Sequence, residues 1–153
     1  MDKIVTKLFG EIGVDEDKII KFPDGIIGFG NLKNFLLIHD SEKKDGIVTW
    51  LQSIEEPGFA IPAIDPLIVK EDYNPVVEDE LLGSIGEITD EEIFVLVTLK
   101  VPSDIKNMTV NLKAPIVINP NTKKGCQILT DNEEYPIRYP IYDILQAMKK
   151  EGE

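Results

Sequence analysis

The chain has 153 residues, with 28 acids against 16 bases and a formal net charge of −12. That length suits one domain, residues 1–153, with a hydrophobic core that needs no disulfide or metal staple. The charge argues against direct nucleic-acid binding, no apolar run reaches the roughly 20 residues of a membrane span, and the N-terminus lacks the apolar core of a secretory leader, so a cytoplasmic location is expected.

In chain order, "KIVTKLFGEI" suits a strand over residues 3–12, and "DKIIKF" a second, short one ending at Pro23. "FPDGIIGFGNL" follows, with three glycines, and reads as a proline-glycine turn and a bend. "NFLLIHD" and "IVTWLQSI" are strands flanking a polar hairpin loop, "SEKKDG". "GFAIPAID" is strand-like but contains Pro62, which predicts an edge position or a bulge. In "NPVVEDELLGSIG", Asn74 can cap a helix with Pro75 at its first position and Gly83 or Gly86 at its end. The branched run over residues 93–101 is the clearest strand. "MTVNL", "APIVIN" and "CQILT" add short strands, with Gly125 ending the turn "PNTKKG". A C-terminal helix closes the chain, with Pro140 in its first turn and Ile141, Ile144, Leu145 and Met148 at helical spacing. Many short strands punctuated by Pro and Gly predict a mostly β fold, a small antiparallel β-barrel or sandwich with short helices.

The glycine stretch has the order G-x-x-G-x-G. It lacks both the G-x-G-x-x-G dinucleotide pattern and the Lys-Ser or Lys-Thr of a phosphate loop, and its fillers Ile26, Ile27 and Phe29 are bulky. Cys126 and His39 are the only residues of their types and match no zinc spacing; a buried thiol and a structural histidine are expected. Ser53 lacks the glycines of a nucleophile elbow. Acids are so numerous that no pair is singled out for acid–base chemistry. Neither a catalytic group nor a cofactor is implied.

Charge is distributed unevenly. Residues 71–99 hold nine acids and neither lysine nor arginine. Such a face attracts a basic protein and speeds encounter with it. Glu71, Asp72, Glu78, Asp79 and Glu80 are therefore candidate partner-binding residues. Phe29 is a further candidate, with the core as the other place for its ring.

The blocks "FPDGIIGF", "WLQSIEEPGFAIPAIDP", "NLKAPIVIN" and "CQILT" are similar, in order and spacing, to those of the flagellar assembly factor FliW family. Phe22, Gly25, Ile26, Gly28 and Phe29 match its opening; Leu51, Gln52, Ser53, Phe59, Asp65 and Pro66 match its middle. Asn111, Leu112, Ala114, Pro115, Ile116, Ile118, Asn119 and Gln127 match its close. The resemblance implies a small β-barrel without catalysis that binds flagellin and also the carbon storage regulator CsrA, an RNA-binding translational repressor, as a partner switch. Most matched residues are expected to specify the fold: Phe22, Phe29, Trp50 and Phe59 by core packing, Gly25, Asp65 and Pro66 by turn geometry, and Asn111, Asn119 and Gln127 by satisfying backbone groups at bends. The residues alone leave open a different class, a small β-barrel enzyme or sugar-binding module using clustered carboxylates.

Overall fold

The computed structural model describes residues 2–7, 9–39, 48–74, 83, 85–86, 93–130 and 134–151. The chain starts with a hairpin, β1 (Asp2–Thr6) and β2 (Gly10–Val14), then β3 (Ile20–Lys21), β4 (Asn34–His39), β5 (Thr49–Ser53) and β6 (Ala60–Ile64). A one-turn helix, α1 (Pro66–Val69), precedes β7 (Phe94–Lys100). Strands β8 (Thr109–Val110), β9 (Ile116–Asn119), β10 (Lys124–Gln127) and β11 (Tyr139–Pro140) lead to the terminal helix α2 (Tyr142–Glu151).

Strands β3 to β7 pair antiparallel in chain order, and β9 pairs with β10. Two further pairings close the ring. β10 runs parallel to β3 at Lys124↔Lys21, and β7 pairs with β9 from Phe94↔Ile118 to Leu96↔Ile116. The result is a closed seven-strand barrel in the order β3-β4-β5-β6-β7-β9-β10. Closure removes the open strand edges that a flat sheet would expose. Strand β7 forks along one edge: residues 94–96 pair with β9, while Leu99 and Lys100 pair with β8, which carries β11 on its far side.

Side chains alternate across each strand. Phe35, Leu51, Ala63, Leu96, Ile116 and Ile118 form one core with Ile20, Phe22, Ile26 and Leu32. A second cluster gathers Ile64, Val97, Val110 and Leu112 with Val69, Tyr73, Tyr135 and Ile141. A third, of Ile85, Val117, Cys126 and Ile128, covers the other face of β9 and β10. Strands β7 and β9 are thus apolar on both faces, which explains why "FVLVTL" and "IVIN" are nearly continuous apolar runs. Cys126 is buried as expected.

Several local expectations change. The stretch over residues 3–12 is two strands, because the Thr6 hydroxyl closes a turn between them: it accepts from the Phe9 N–H at 2.8 Å and donates to the Gly10 carbonyl at 3.0 Å, with Gly10 at φ +66°. The second predicted strand keeps only Ile20 and Lys21, since Asp15 caps a tight 3-10 turn over Glu16–Lys18. Pro62 lies on neither an outer edge nor a bulge. It faces Trp50 inside the barrel wall, one residue before β6 and β7 begin to pair at Ala63↔Thr98, so its missing N–H interrupts no β6–β7 pair. Pro140 belongs to β11 and pairs with Thr109, which ties the chain to β8 before α2 starts. The loop "SEKKDG" and most of the helix predicted from Asn74 lie outside the described residues.

Gly125 sits within β10 rather than ending a turn, and the reason is spatial. A Cβ there would lie 2.8 Å from the Phe22 ring. That ring is fully buried and held edge-on against Phe35 at 5.3 Å between centroids, so it has nowhere to retreat. Gly125→Ala is therefore expected to destabilise the fold by about 1–3 kcal/mol, the usual range for overpacking, outweighing the gain in β propensity. Urea unfolding checks this. In the Phe22→Leu background, the same glycine replacement should cost distinctly less.

Candidate functional site

The opening stretch folds as two linked turns. The Gly25 N–H donates to the Phe22 carbonyl at 2.9 Å, with φ +72°, and a Cβ at Gly25 would fall 2.6 Å from the Gly30 backbone. Ile26 and Phe29 then exchange backbone hydrogen bonds across Ile27 and Gly28, the latter at φ +88°. The Gly25, Ile26, Phe29 and Leu32 amides are satisfied by carbonyls of the same stretch, and Ile27 N–H donates to the Gln127 Oε1. Five of the amides that a phosphate cradle could draw on are thus already used.

Side chains of this stretch divide sharply. Phe22, Ile26 and Leu32 are buried in the barrel. Ile27 and Phe29 stay outside, 51% and 42% exposed. Phe29 rests on Phe59, with ring centroids 4.5 Å apart. It is therefore not a core residue, but an aromatic side chain held at the surface beside a second exposed apolar one. Trp50 is half-buried and meets Phe9 of the N-terminal hairpin edge-on at 5.9 Å. Sequence reading missed Ile27; its place beside the positive-φ Gly28 at a turn tip was the available signal.

The polar residues of the recurring blocks hold backbone. The buried Gln52 amide donates to the Ser53, Pro57 and Phe59 carbonyls, and the Ser53 Oγ accepts from the Glu56 N–H, which together shape the β5–β6 connection. Asp65 caps α1 by accepting from Leu67 N–H at 2.9 Å, with Pro66 in the first position. Asn111 Oδ1 accepts from Lys113 and Ala114 N–H, turning the chain from β8 toward β9. Gln127 ties the opening stretch to the Ala114 carbonyl. These fold-building roles match what was expected of Asn111 and Gln127.

The acidic segment leaves the outer core through well-defined anchors. Glu71 and Asp72 are exposed. Asp72 pairs with Lys70 at 3.0 Å; the hydrogen bond from Lys70 holds the carboxyl below its ordinary range, and the same bond raises the Lys70 ammonium. The next residue, Tyr73, is buried: its hydroxyl donates to the Leu112 carbonyl at 2.6 Å and its ring meets Tyr135 edge-on. Tyr135 in turn accepts from Asn74 N–H. Further along, Ile85 is fully buried in the third cluster, and its carbonyl accepts from Asn119 Nδ2 and Thr122 Oγ1. Glu78, Asp79 and Glu80, between these anchors in sequence, lie outside the described residues. Phe29 makes its ring contact with Phe59, and Asp72 makes its ion pair with Lys70.

Burial pushes the Tyr73 phenol well above its ordinary value near 10. A group raised on folding contributes stability that is fully present below its unfolded pKa and lost as pH rises through the folded one. Stability is thus expected to fall above about pH 10, one proton's worth of it from Tyr73. Tyr73→Phe should cost about 1–2 kcal/mol near pH 7 by orphaning the Leu112 carbonyl, and should flatten the alkaline fall. Urea midpoints measured from pH 7 to 11 test both.

Among the described residues, no group of three or more His, Cys, Asp or Glu converges as a metal site, and no helix is long and apolar enough to cross a membrane. The family model described as "FliW protein" matches residues 3–141. The chain is 54% identical over 146 residues to a flagellar assembly factor FliW of Lachnospira eligens, covering 94% of this chain and 97% of the relative. It is 47% identical to another of that name from Lachnoclostridium phytofermentans, with 98% of each covered. A crystal structure of the flagellar assembly factor FliW superposes with a TM-score of 0.83 at 29% identity, over 92% of this chain and 97% of the other. The closed barrel, the block residues that build it and these full-length matches lead to one conclusion: the chain belongs to the FliW family.

Proposed function

We propose that this protein acts in flagellar assembly as a cytoplasmic, non-catalytic partner switch. It binds flagellin, and it binds and antagonises the translational repressor CsrA, relieving repression of flagellin mRNA. The observation that carries the reading is the near full-length match to relatives named flagellar assembly factors. Two features of the chain support it. The segment over residues 71–92 carries nine acids and neither lysine nor arginine, on a chain of net charge −12. An RNA-binding repressor must present basic residues, so such a segment steers the encounter and leaves negative charge close to the RNA path. The second feature is Phe29, a surface aromatic backed by Phe59 and flanked by Ile27, the kind of anchor that concentrates binding energy at protein interfaces.

Calorimetric titration with purified flagellin and with CsrA tests the switch. Each is expected to bind alone, and saturation with one should abolish heat from the other. Failure of both to bind, or simultaneous binding of both, would overturn it. Reversing Glu78, Asp79 and Glu80 to lysine should slow association with CsrA by about tenfold at low salt and reduce its salt dependence. Unchanged kinetics would remove the acidic segment from that interface. Phe29→Ala should weaken one of the two complexes by about 2 kcal/mol without shifting the urea midpoint by more than its partial burial allows.

A further inference from the structure

The fork at β7 creates a second site of opposite charge. Leu99 of β7 pairs with Val110 of β8, and Tyr139 of β11 pairs with Val110 from the other side; all three belong to the outer core. Alternation across these strands puts Thr98, Lys100, Thr109 and Asn111 on the opposite face, together with Arg138, which precedes Tyr139. With Ile137 these side chains line a cavity of about 220 Å³. Lys100 is the first cation after the acidic run, and Arg138 is the only arginine of the chain.

What this cavity offers is donors. Lys100 and Arg138 bring an ammonium and a guanidinium, and among the described residues no carboxylate lines the space. Among the described residues the ion pairs are Lys3–Glu11 and Lys70–Asp72, and neither involves Lys100 or Arg138. Asn111 uses its Oδ1 to accept from Lys113 and Ala114, which leaves its Nδ2 as the donor for a ligand. Thr98 and Thr109 are half-buried residues on the same face. A planar guanidinium beside an ammonium and an amide suits a group with several acceptor oxygens.

We propose that the fork cavity binds a small oxyanion, a carboxylate or phosphate group on a compact ligand. A long polyanion is disfavoured because the rest of this acidic chain repels it. A small anion in the cavity lies beside Lys100 and Arg138, and charges beyond about 8 Å, the screening length at physiological salt, act on it only weakly. The site is independent of the partner switch and stands or falls separately.

The test is a two-dimensional amide NMR titration of the full chain with inorganic phosphate and, separately, malonate, at ionic strength held constant with chloride. Saturable shifts are expected at Thr98, Lys100, Asn111 and Arg138, including the Arg138 side-chain Nε–H, with half-saturation near about 1 mM or below. The stronger of the two responses identifies the oxyanion type. The K100A/R138A double variant should weaken the response about tenfold or more, while signals of the β1–β2 hairpin stay in place and report an intact fold. Shifts that rise linearly, that chloride alone reproduces, or that persist in the double variant would overturn the site.

Discussion

Strand β7 has to serve two neighbours along a single edge, and the rest of the molecule follows from that. Its first half must pair with β9 to close the barrel, and its last two residues must pair with β8 to start the outer flap. Both faces of β7 are therefore needed. Leu96 joins the barrel core, and Val97 belongs to the outer one. The block "NLKAPIVIN" is the chain's means of crossing the fork: Asn111 turns the backbone, Leu112 buries in the outer core, and Ile116 re-enters the barrel. A strand that forks cannot slip in register without breaking two sets of pairs at once.

The same geometry explains why the recurring blocks carry so little direct chemistry. Gln52, Ser53, Asp65, Asn111 and Gln127 all spend their polar atoms on backbone groups at connections. Barrel walls leave no spare ladder bonds at their corners, so side chains supply the partners that buried N–H and C=O groups require. Surfaces available for recognition are what remains: an aromatic tip on a glycine hinge, an acidic segment fastened at Tyr73 and Ile85, and a donor-lined cavity under the fork. Each combines a rigid attachment to a core with side chains that the core does not use.

The acidic segment is anchored as well as charged. Asp72, its second acid, is internally paired with Lys70. The following tyrosine is buried and bonded to Leu112. The segment thus begins as an integral part of the outer core, and its charge is presented from a fixed starting point. Ile85 repeats the arrangement in the third cluster, on the outer face of β9 and β10, where two side chains from the β9–β10 region converge on its carbonyl.

By itself the sequence determined the class of fold, most strands over residues 34–127, the terminal helix, the lack of a phosphate loop and the uneven charge. These are properties of local pattern: branched residues, proline and glycine placement, and runs of one sign are visible within a few positions. Tertiary structure decided the rest. That residues 3–12 are two strands depends on the Thr6 hydroxyl closing a turn. That Pro62 sits inside the wall depends on where β7 begins to pair. Gly125 is required by a ring 103 positions earlier, Phe22, and no local pattern records such a contact. Phe29 could have entered the core with Phe22 and Ile26; the reversal at Gly28 turns it outward onto Phe59. Lys100, Asn111 and Arg138 look unrelated along the chain, and only the pairing of β7, β8 and β11 brings them to one face. Sequence fixes what each stretch prefers; which distant side chains meet is set by strand pairing, because pairing alone joins residues that the chain keeps apart.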